Sequence, residues 1–338
     1  MEAANVTCRK WIRRREDILD FPFLKRLRMA VNAYWAYCLR IHTELVCPEL
    51  PPHPQEVGNP DVTIEITPPV SEAPASGSYE VLPGSFLLAV PGVARYRVED
   101  GRKIFIEPLA DAPPEKVRLF LFGSVMGALL YQRGLFPLHG SAVETPLGAM
   151  IFVGPQGTGK STLAAQFHRK GYRLLSDDVC AVAPTPDGLQ ILPALGHFRL
   201  CADAYERLGS PPGGRFDVDK FVVPMGEGYC PHPVPLRAIH LLRLSDGGDS
   251  RSEETPAFQV LSGFDRVQCL LENLYRPQYL KGQATQGDLM RLAGLIAQKA
   301  TMAAVTRQWN PDEVDGLVGF LESAWAQRFA VIGSEEKN

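Results

Sequence analysis

Ala149-Met150-Ile151-Phe152-Val153-Gly154-Pro155-Gln156-Gly157-Thr158-Gly159-Lys160-Ser161-Thr162 is the stretch from which the rest of this chain is read. It matches G-x-x-x-x-G-K-[ST] without a gap. Its context is the one the pattern requires, an apolar run reading as a strand on one side and a helical stretch on the other. Glycines let the backbone curl until successive N–H groups face phosphate oxygens, and the following helix adds the positive end of its dipole. The Lys160 ammonium would neutralise the β- and γ-phosphates, and Ser161 is placed to ligate Mg²⁺. Gly154 to Thr162 is thus a candidate nucleotide cradle; a glycine turn without a ligand is the alternative that this context disfavours.

A cradle alone transfers nothing, because a metal carboxylate and a group that activates the acceptor are also needed. The next strand, Tyr172-Arg173-Leu174-Leu175-Ser176, ends in Asp177-Asp178. That puts two carboxylates at the carboxyl end of a strand, where open α/β sheets hold their ligands. One can hold Mg²⁺ with Ser161, and the other can accept the proton of an incoming hydroxyl. His139, in Leu138-His139-Gly140-Ser141-Ala142-Val143, precedes the cradle by one strand–turn–strand unit. Its strand is expected to pair antiparallel with the strand feeding the cradle. An imidazole there could orient a carboxylate, raise its basicity or bind a second metal. Arg199, Arg215, Lys220 and Arg276 could neutralise charge on a transferred phosphoryl. Lys220, in what reads as a Gly/Pro-rich loop, is the first choice and Arg199 the second.

The chain has 338 residues, enough for one large domain or two ordinary ones. With 45% hydrophobic and 22% charged residues and a net charge of −3, it has the profile of a soluble globular protein and not of a nucleic-acid-coating one. Seven widely spaced cysteines without Cys-x-x-Cys argue against a disulfide framework and a tetrahedral zinc site, so the expected compartment is a reducing cytoplasm. Arg9, Lys10, Arg13, Arg14 and Arg15 run straight into Glu16 and Asp17, leaving no signal-peptide apolar region. The longest weakly charged run, Leu119 to Tyr131, is too short to span a bilayer.

Residues 1–112 read as a strand-rich module for acceptor or partner binding. Its signals are Val62–Ile66, Phe86–Val90, Val93–Val98 and an Asp100-Gly101 hairpin leading to Arg102–Glu107. The basic cluster at its start is either a solvated helix face or a docking surface. Residues 113–134, opened by Pro113-Pro114-Glu115 and closed by Gly134, read as a bridging helix. Residues 135–338 read as the cradle-bearing domain. Strands are expected at about 138–143, 149–153, 172–183, 189–193 and 237–244. Helices are expected at 160–170, near 202–208, and at 264–275, 287–300 and 311–328, the last opened by Asn310-Pro311-Asp312-Glu313.

Three ordered motifs carry a resemblance: His139-Gly140-Ser141-Ala142-Val143, Gly154 to Thr162, and Gly171-Tyr172-Arg173-Leu174-Leu175-Ser176-Asp177-Asp178. Together they resemble the core of the HPr serine kinase/phosphorylases and, more distantly, of PEP carboxykinases. The resemblance implies an α/β protein with that type of P-loop core and a smaller strand-rich N-terminal module. It implies an ATP- and Mg²⁺-dependent kinase in which Lys160 and the loop hold nucleotide, Ser161 and Asp177 hold Mg²⁺, and Asp178 with His139 activates the acceptor. Those roles for the two aspartates are interchangeable at this level. HPr kinases are oligomers, so a homo-oligomer is within what the likeness implies.

The front module, with Tyr34-Trp35-Ala36-Tyr37-Cys38-Leu39-Arg40-Ile41 and Cys47-Pro48-Glu49-Leu50, is similar instead to HPr-kinase-like proteins of peptide natural-product clusters. These include lasso peptide kinases acting on a precursor peptide's C-terminal serine. A glutamate-bearing signature after the aspartates is missing; the nearest stretch is Leu195-Gly196-His197-Phe198-Arg199-Leu200. The expected acceptor is therefore a serine-type hydroxyl on a peptide or small protein other than HPr. An ATP-sensing regulator without phosphotransfer and a small-metabolite kinase stay open as alternatives.

Overall fold

A computed structural model describes residues 31–52, 58–68, 77–207, 214–217, 220–245, 256–280, 286–308 and 314–335. The basic cluster of the first seventeen residues and the expected helix start at 310–313 lie outside them.

The front of the chain builds a seven-stranded sheet from β1 (Asn32–Ala36), β2 (Leu39–Thr43), β3 (Val62–Ile66), β4 (Ser78–Leu82), β5 (Ser85–Val90), β6 (Ala94–Glu99) and β7 (Lys103–Pro108). Its spatial order is β1-β2-β3-β7-β6-β5-β4. Alternating burial in β2 and β6 matches their period-two sequences. The Asp100-Gly101 turn joins β6 to β7, both residues at positive φ as a primed hairpin turn requires. The β1–β2 turn does the same with Tyr37 and Cys38, at φ 53° and 58°. Its tip presses into the second half of the chain. The Tyr37 N–H donates to the Pro193 carbonyl at 2.6 Å, and its hydroxyl donates to the Val179 carbonyl at 3.2 Å.

A helical rod follows: α1 (Pro114–Phe120), one π-helical turn (Leu121–Val125) and α2 (Met126–Gln132), ended by Gly134 at φ 70°. Proline at the first helical position suits a start, since its missing N–H would have had no intrahelical partner. The rod packs between the sheets, and the residues it buries belong to one apolar cluster running from Tyr34 to Ala304.

The second seven-stranded sheet has the order β11-β10-β8-β9-β15-β17-β16. Its strands are β8 (Phe136–Thr145), β9 (Gly148–Val153), β10 (Arg173–Thr185), β11 (Gly188–Leu192), β15 (Val234–Leu244), β16 (Ala257–Val260) and β17 (Thr301–Arg307). β9, β15 and β17 run parallel at the centre, and the flanking pairs are antiparallel. These central strands are apolar almost throughout, as strands buried on both faces must be. A three-stranded sheet of β12 (His197–Cys201), β13 (Gly214–Asp217) and β14 (Lys220–Pro224), in the order β12-β14-β13, lies beside it. The helices are α3 (Lys160–Arg169), α4 (Ala202–Arg207), α5 (Gly263–Glu272), α6 (Gln286–Lys299) and α7 (Val314–Glu335). A second apolar cluster joins α3 and α7 to the sheet, with Phe167 stacked between Phe152 and Trp325 at centroid distances of 5.4 and 5.2 Å.

Two expectations need correction. Asp177 and Asp178 do not end a strand: β10 runs on through them to Thr185, as the expected strand over 172–183 requires and the reading that ends it at Ser176 does not. Hydrogen bonding to β8 continues past both residues, with a register shift just before them and Asp178 at φ 78°. Lys220 lies not in a loop but at the first position of β14, paired with Cys201; the strand signal there was masked by the surrounding glycines and prolines.

Candidate active site

The site forms where β8, β9 and β10 lie side by side. Gly140 stands between Val153, the last residue before the glycine-rich loop, and Asp178. A Cβ at Gly140 would come within 2.6 Å of the Phe152 carbonyl, so glycine is what permits this close approach. The loop then turns through Gly154, Gly157 and Gly159 at φ 142°, 84° and 82°, and α3 begins at Lys160. Lys160 is buried, its ammonium donating to the carbonyls of Gly154 at 2.9 Å and Pro155 at 3.1 Å. Thr158 closes the loop with its hydroxyl on the Pro155 carbonyl, and Arg307, from the end of β17, donates to the Thr158 carbonyl at 3.0 Å.

The two aspartates have different surroundings. Asp177 is buried and held by the Ser141 hydroxyl at 2.6 Å and the Arg199 backbone N–H at 2.8 Å, with the Ser161 hydroxyl nearby as a third donor. Burial pushes its carboxyl up from the usual range, against the pull of those three donors. Asp178 opens onto a cavity. Arg199 Nη1 lies 2.9 Å from its Oδ2, and His139 Nδ1 lies 3.4 Å from its Oδ1 and 3.2 Å from its backbone carbonyl oxygen. Arg199 is therefore brought to the site, but with its guanidinium buried against Asp178 instead of projecting freely toward a phosphoryl group.

The cavity measures about 780 Å³ and is bordered by His139, Gly154, Pro155, Gln156, Asp178 and Arg199. Apart from Arg276, which the sequence had offered as a charge-neutralising candidate, its far wall comes from residues that sequence reasoning did not connect with the site. Gly123 and Ser124 of the π-helical turn, Leu241 and Arg243 of β15, and Tyr275 with Arg276 all face it. Residues 273–275 reach β8 by backbone pairing: the His139 N–H donates to the Asn273 carbonyl at 2.8 Å, and the Tyr275 N–H to that of Pro137 at 2.9 Å. Tyr131 donates its hydroxyl to the Tyr275 carbonyl. Burial raises the Tyr275 phenol to about 12, so it stays protonated. Arg276 is held at φ 50°, a backbone region that a non-glycine residue enters at a cost.

Lys160, Ser161, Asp177, Asp178, His139 and Arg199 are thus gathered together. Lys220 and Arg215 fall on the small sheet, where the structure describes their backbone alone. Ser141 could have been found by period two from His139, and Arg243 by period two from Leu241. Tyr275 leaves no local signal, because it arrives from more than a hundred residues away. Among the described residues, no helix is long and apolar enough to cross a membrane.

The residues present fit the groups that the sequence implies. A Cβ at Gly154 would fill the loop against the Leu242 carbonyl at 2.6 Å, whereas none at Gly157 would meet anything within 4 Å, leaving the crest of the loop open for phosphate oxygens. Ser161 and Asp177, close enough for the hydroxyl to act on the carboxyl, offer the hard oxygen donors that Mg²⁺ selects.

No family model matches the chain, and no curated protein matches it. Among solved structures it is similar to the HPr(Ser) kinase/phosphatase from Coxiella burnetii at a TM-score of 0.31 and 12% identity, covering 57% of this chain and 98% of that one. A likeness that distant carries no argument about fold or chemistry, which leaves the geometry of the site to do so.

Proposed function

We propose that this chain is a Mg²⁺-dependent kinase that transfers the γ-phosphoryl group of ATP to a serine-type hydroxyl on a peptide or small protein. The observation that carries the reading is the meeting, at one cavity, of the start of a glycine-rich loop, backed by its buried lysine, and a carboxylate gripped by a histidine and an arginine. The resemblance of the three motifs to HPr serine kinase/phosphorylases points the same way. Within that class, the front-module likeness favours a lasso precursor peptide over HPr as acceptor.

In this reading the loop N–H groups and the Lys160 ammonium bind the β- and γ-phosphates. Lys160 exchanges its two carbonyl partners for phosphate oxygens, which are stronger acceptors. Mg²⁺ held by Ser161 and Asp177 would neutralise charge between those phosphates. Asp178 takes the proton of the acceptor hydroxyl as the new O–P bond forms and the bond to the ADP oxygen breaks. Arg199 fixes one oxygen of that carboxylate and leaves the other, beside His139, aimed at the cavity. Catalysis is then positioning and electrostatics, with little covalent work for the protein.

The test is mass spectrometry of serine-bearing peptides incubated with ATP and Mg²⁺. The wild-type chain should add one phosphoryl group and release ADP. Asp178→Asn should lose at least 100-fold in kcat while still being stabilised thermally by ATP; Lys160→Ala should lose both. ATP binding without transfer to any acceptor in a broad panel would support a nucleotide-sensing regulator instead. Full transfer by both variants would place the chemistry elsewhere.

A further inference from the structure

Outside the cavity, at the far end of β8 and β10, Glu144, Cys230 and His232 bring a carboxylate oxygen, a thiol sulfur and an imidazole nitrogen together, all within 4.8 Å of one another. We propose that these three side chains bind a Zn²⁺ ion, with solvent as the fourth ligand. His232 Nε2 lies 3.7 Å from Cys230 Sγ and 3.9 Å from Glu144 Oε1. Around a tetrahedral zinc with bonds of about 2.0–2.3 Å, ligand atoms stand roughly 3.3–3.7 Å apart. The sulfur–nitrogen edge lies at the top of that range and the nitrogen–oxygen edge of 3.9 Å a little beyond it, so closing on the ion takes a small side-chain adjustment and no rebuilding of the backbone. Sulfur, nitrogen and carboxylate oxygen are also the donor types that zinc accepts in one site.

The backbone holds the three donors in place. The Cys230 N–H donates to the Leu174 carbonyl at 2.8 Å, and Tyr229 bridges to Leu174, which locks the segment before His232 onto β10. Glu144 lies opposite Arg173 in the β8–β10 ladder. Arg173 currently supplies the positive charge, with Nε 2.6 Å from Glu144 and Nη2 3.2 Å from His232 Nε2. A guanidinium has no lone pair to offer, so His232 accepts that bond at Nε2, and the same lone pair is the one an ion would take once Arg173 moves off it. The Arg173 side chain is 42% exposed and can swing into solvent when an ion replaces it. Cys230 is buried and its thiol donates weakly to the His232 carbonyl at 3.5 Å. Binding releases that thiol proton as the Zn–S bond forms, and the ion then staples the strand-to-strand segment before β15 to the tip of the β8–β9 hairpin. The spacing Cys230-Pro231-His232 alone is too short to mark a zinc motif, and the third ligand comes from another strand, so the sequence hid the site.

The experiment titrates the full chain, stripped by chelator, with Zn²⁺ and with Co²⁺ as a spectroscopic stand-in. One equivalent should bind with micromolar or tighter affinity, and Co²⁺ should show a thiolate charge-transfer band. Cys230→Ser and His232→Ala should each weaken binding at least tenfold. Cys8→Ser and Cys201→Ser should not change it. Arg173→Ala, by removing the competing cation, should tighten it several-fold. His232 is half-exposed, so its variant tests the site even where Cys230→Ser disturbs folding. Absence of stoichiometric binding, a cobalt spectrum without the thiolate band, or affinity indifferent to both ligand variants would overturn the proposal. None of these readouts involves ATP, so the zinc site and the kinase reading stand or fall separately.

Discussion

Gly154 and Gly157 belong to the same loop and face different neighbours, which separates conformational cost from steric cost at single residues. At Gly154 an added methyl meets the Leu242 backbone carbonyl at 2.6 Å, and β15 cannot step aside without breaking its parallel pairing with β9. At Gly157 it meets nothing, and only the left-handed backbone resists. Gly154→Ala should therefore cost about 2–3 kcal/mol in stability, and Gly157→Ala about 1 kcal/mol. Thermal or urea unfolding measures the difference; equal losses would mean that the strand-to-loop junction is softer than its geometry. The motif was legible at this scale because each glycine answers a local backbone demand. The division of labour between Asp177 and Asp178 was not. It depends on Ser141 and Arg199 converging on one carboxylate and on His139 meeting the other, contacts between separate strands that adjacency in sequence cannot reveal.

The rod between the sheets shows what an element contributes beyond its residues. Its π-helical turn brings Gly123 and Ser124 to the cavity, and Gly127, one helical turn on, lies flat against Tyr275. A methyl at Gly127 would sit 2.8 Å from the Tyr275 ring, which has to shift and drag the 273–275 segment that borders His139. Gly127→Ala should thus lower phosphotransfer roughly tenfold or more while thermal stabilisation by ATP persists; unchanged turnover would show that this wall is not used. The rod itself was readable from its proline start and glycine end. The π turn was not, because the same apolar spacing serves either helix type over five residues. The β1–β2 hairpin also escaped notice. Its turn is Tyr37-Cys38, where Asn-Gly or Asp-Gly would have announced it, and tertiary contacts hold those two residues at positive φ. β17 was hidden by its small residues: Thr301-Met302-Ala303-Ala304-Val305-Thr306-Arg307 continues a helical composition, and only burial on both faces makes it a strand.

Across the whole molecule, two buried histidines link folding to acidity. Burial lowers His240 to about 3, where it accepts the Trp325 indole N–H at 2.8 Å; burial and then Arg199 lower His197 to about 3. In the unfolded chain both titrate near 6.5, so the unfolded state binds the extra protons. Stability is complete above that value and drains away as pH falls toward 3, by about 2 kcal/mol per histidine at pH 5. Urea unfolding at pH 7.5 and pH 5 should show the loss, and His240→Gln should flatten about half of it. The apolar cluster that runs from the front sheet to the parallel strands makes this a property of one cooperative body. The Tyr37 hairpin tip has a practical consequence for engineers who would trade the front sheet for another to change the acceptor. It is a peg seated behind the very strand that bears the acids, so any graft must supply an equivalent peg. Residues 113–338 expressed alone should accordingly melt without a cooperative transition and show no ATP-dependent rise in Tm, and a well-folded, nucleotide-responsive fragment would prove the peg dispensable.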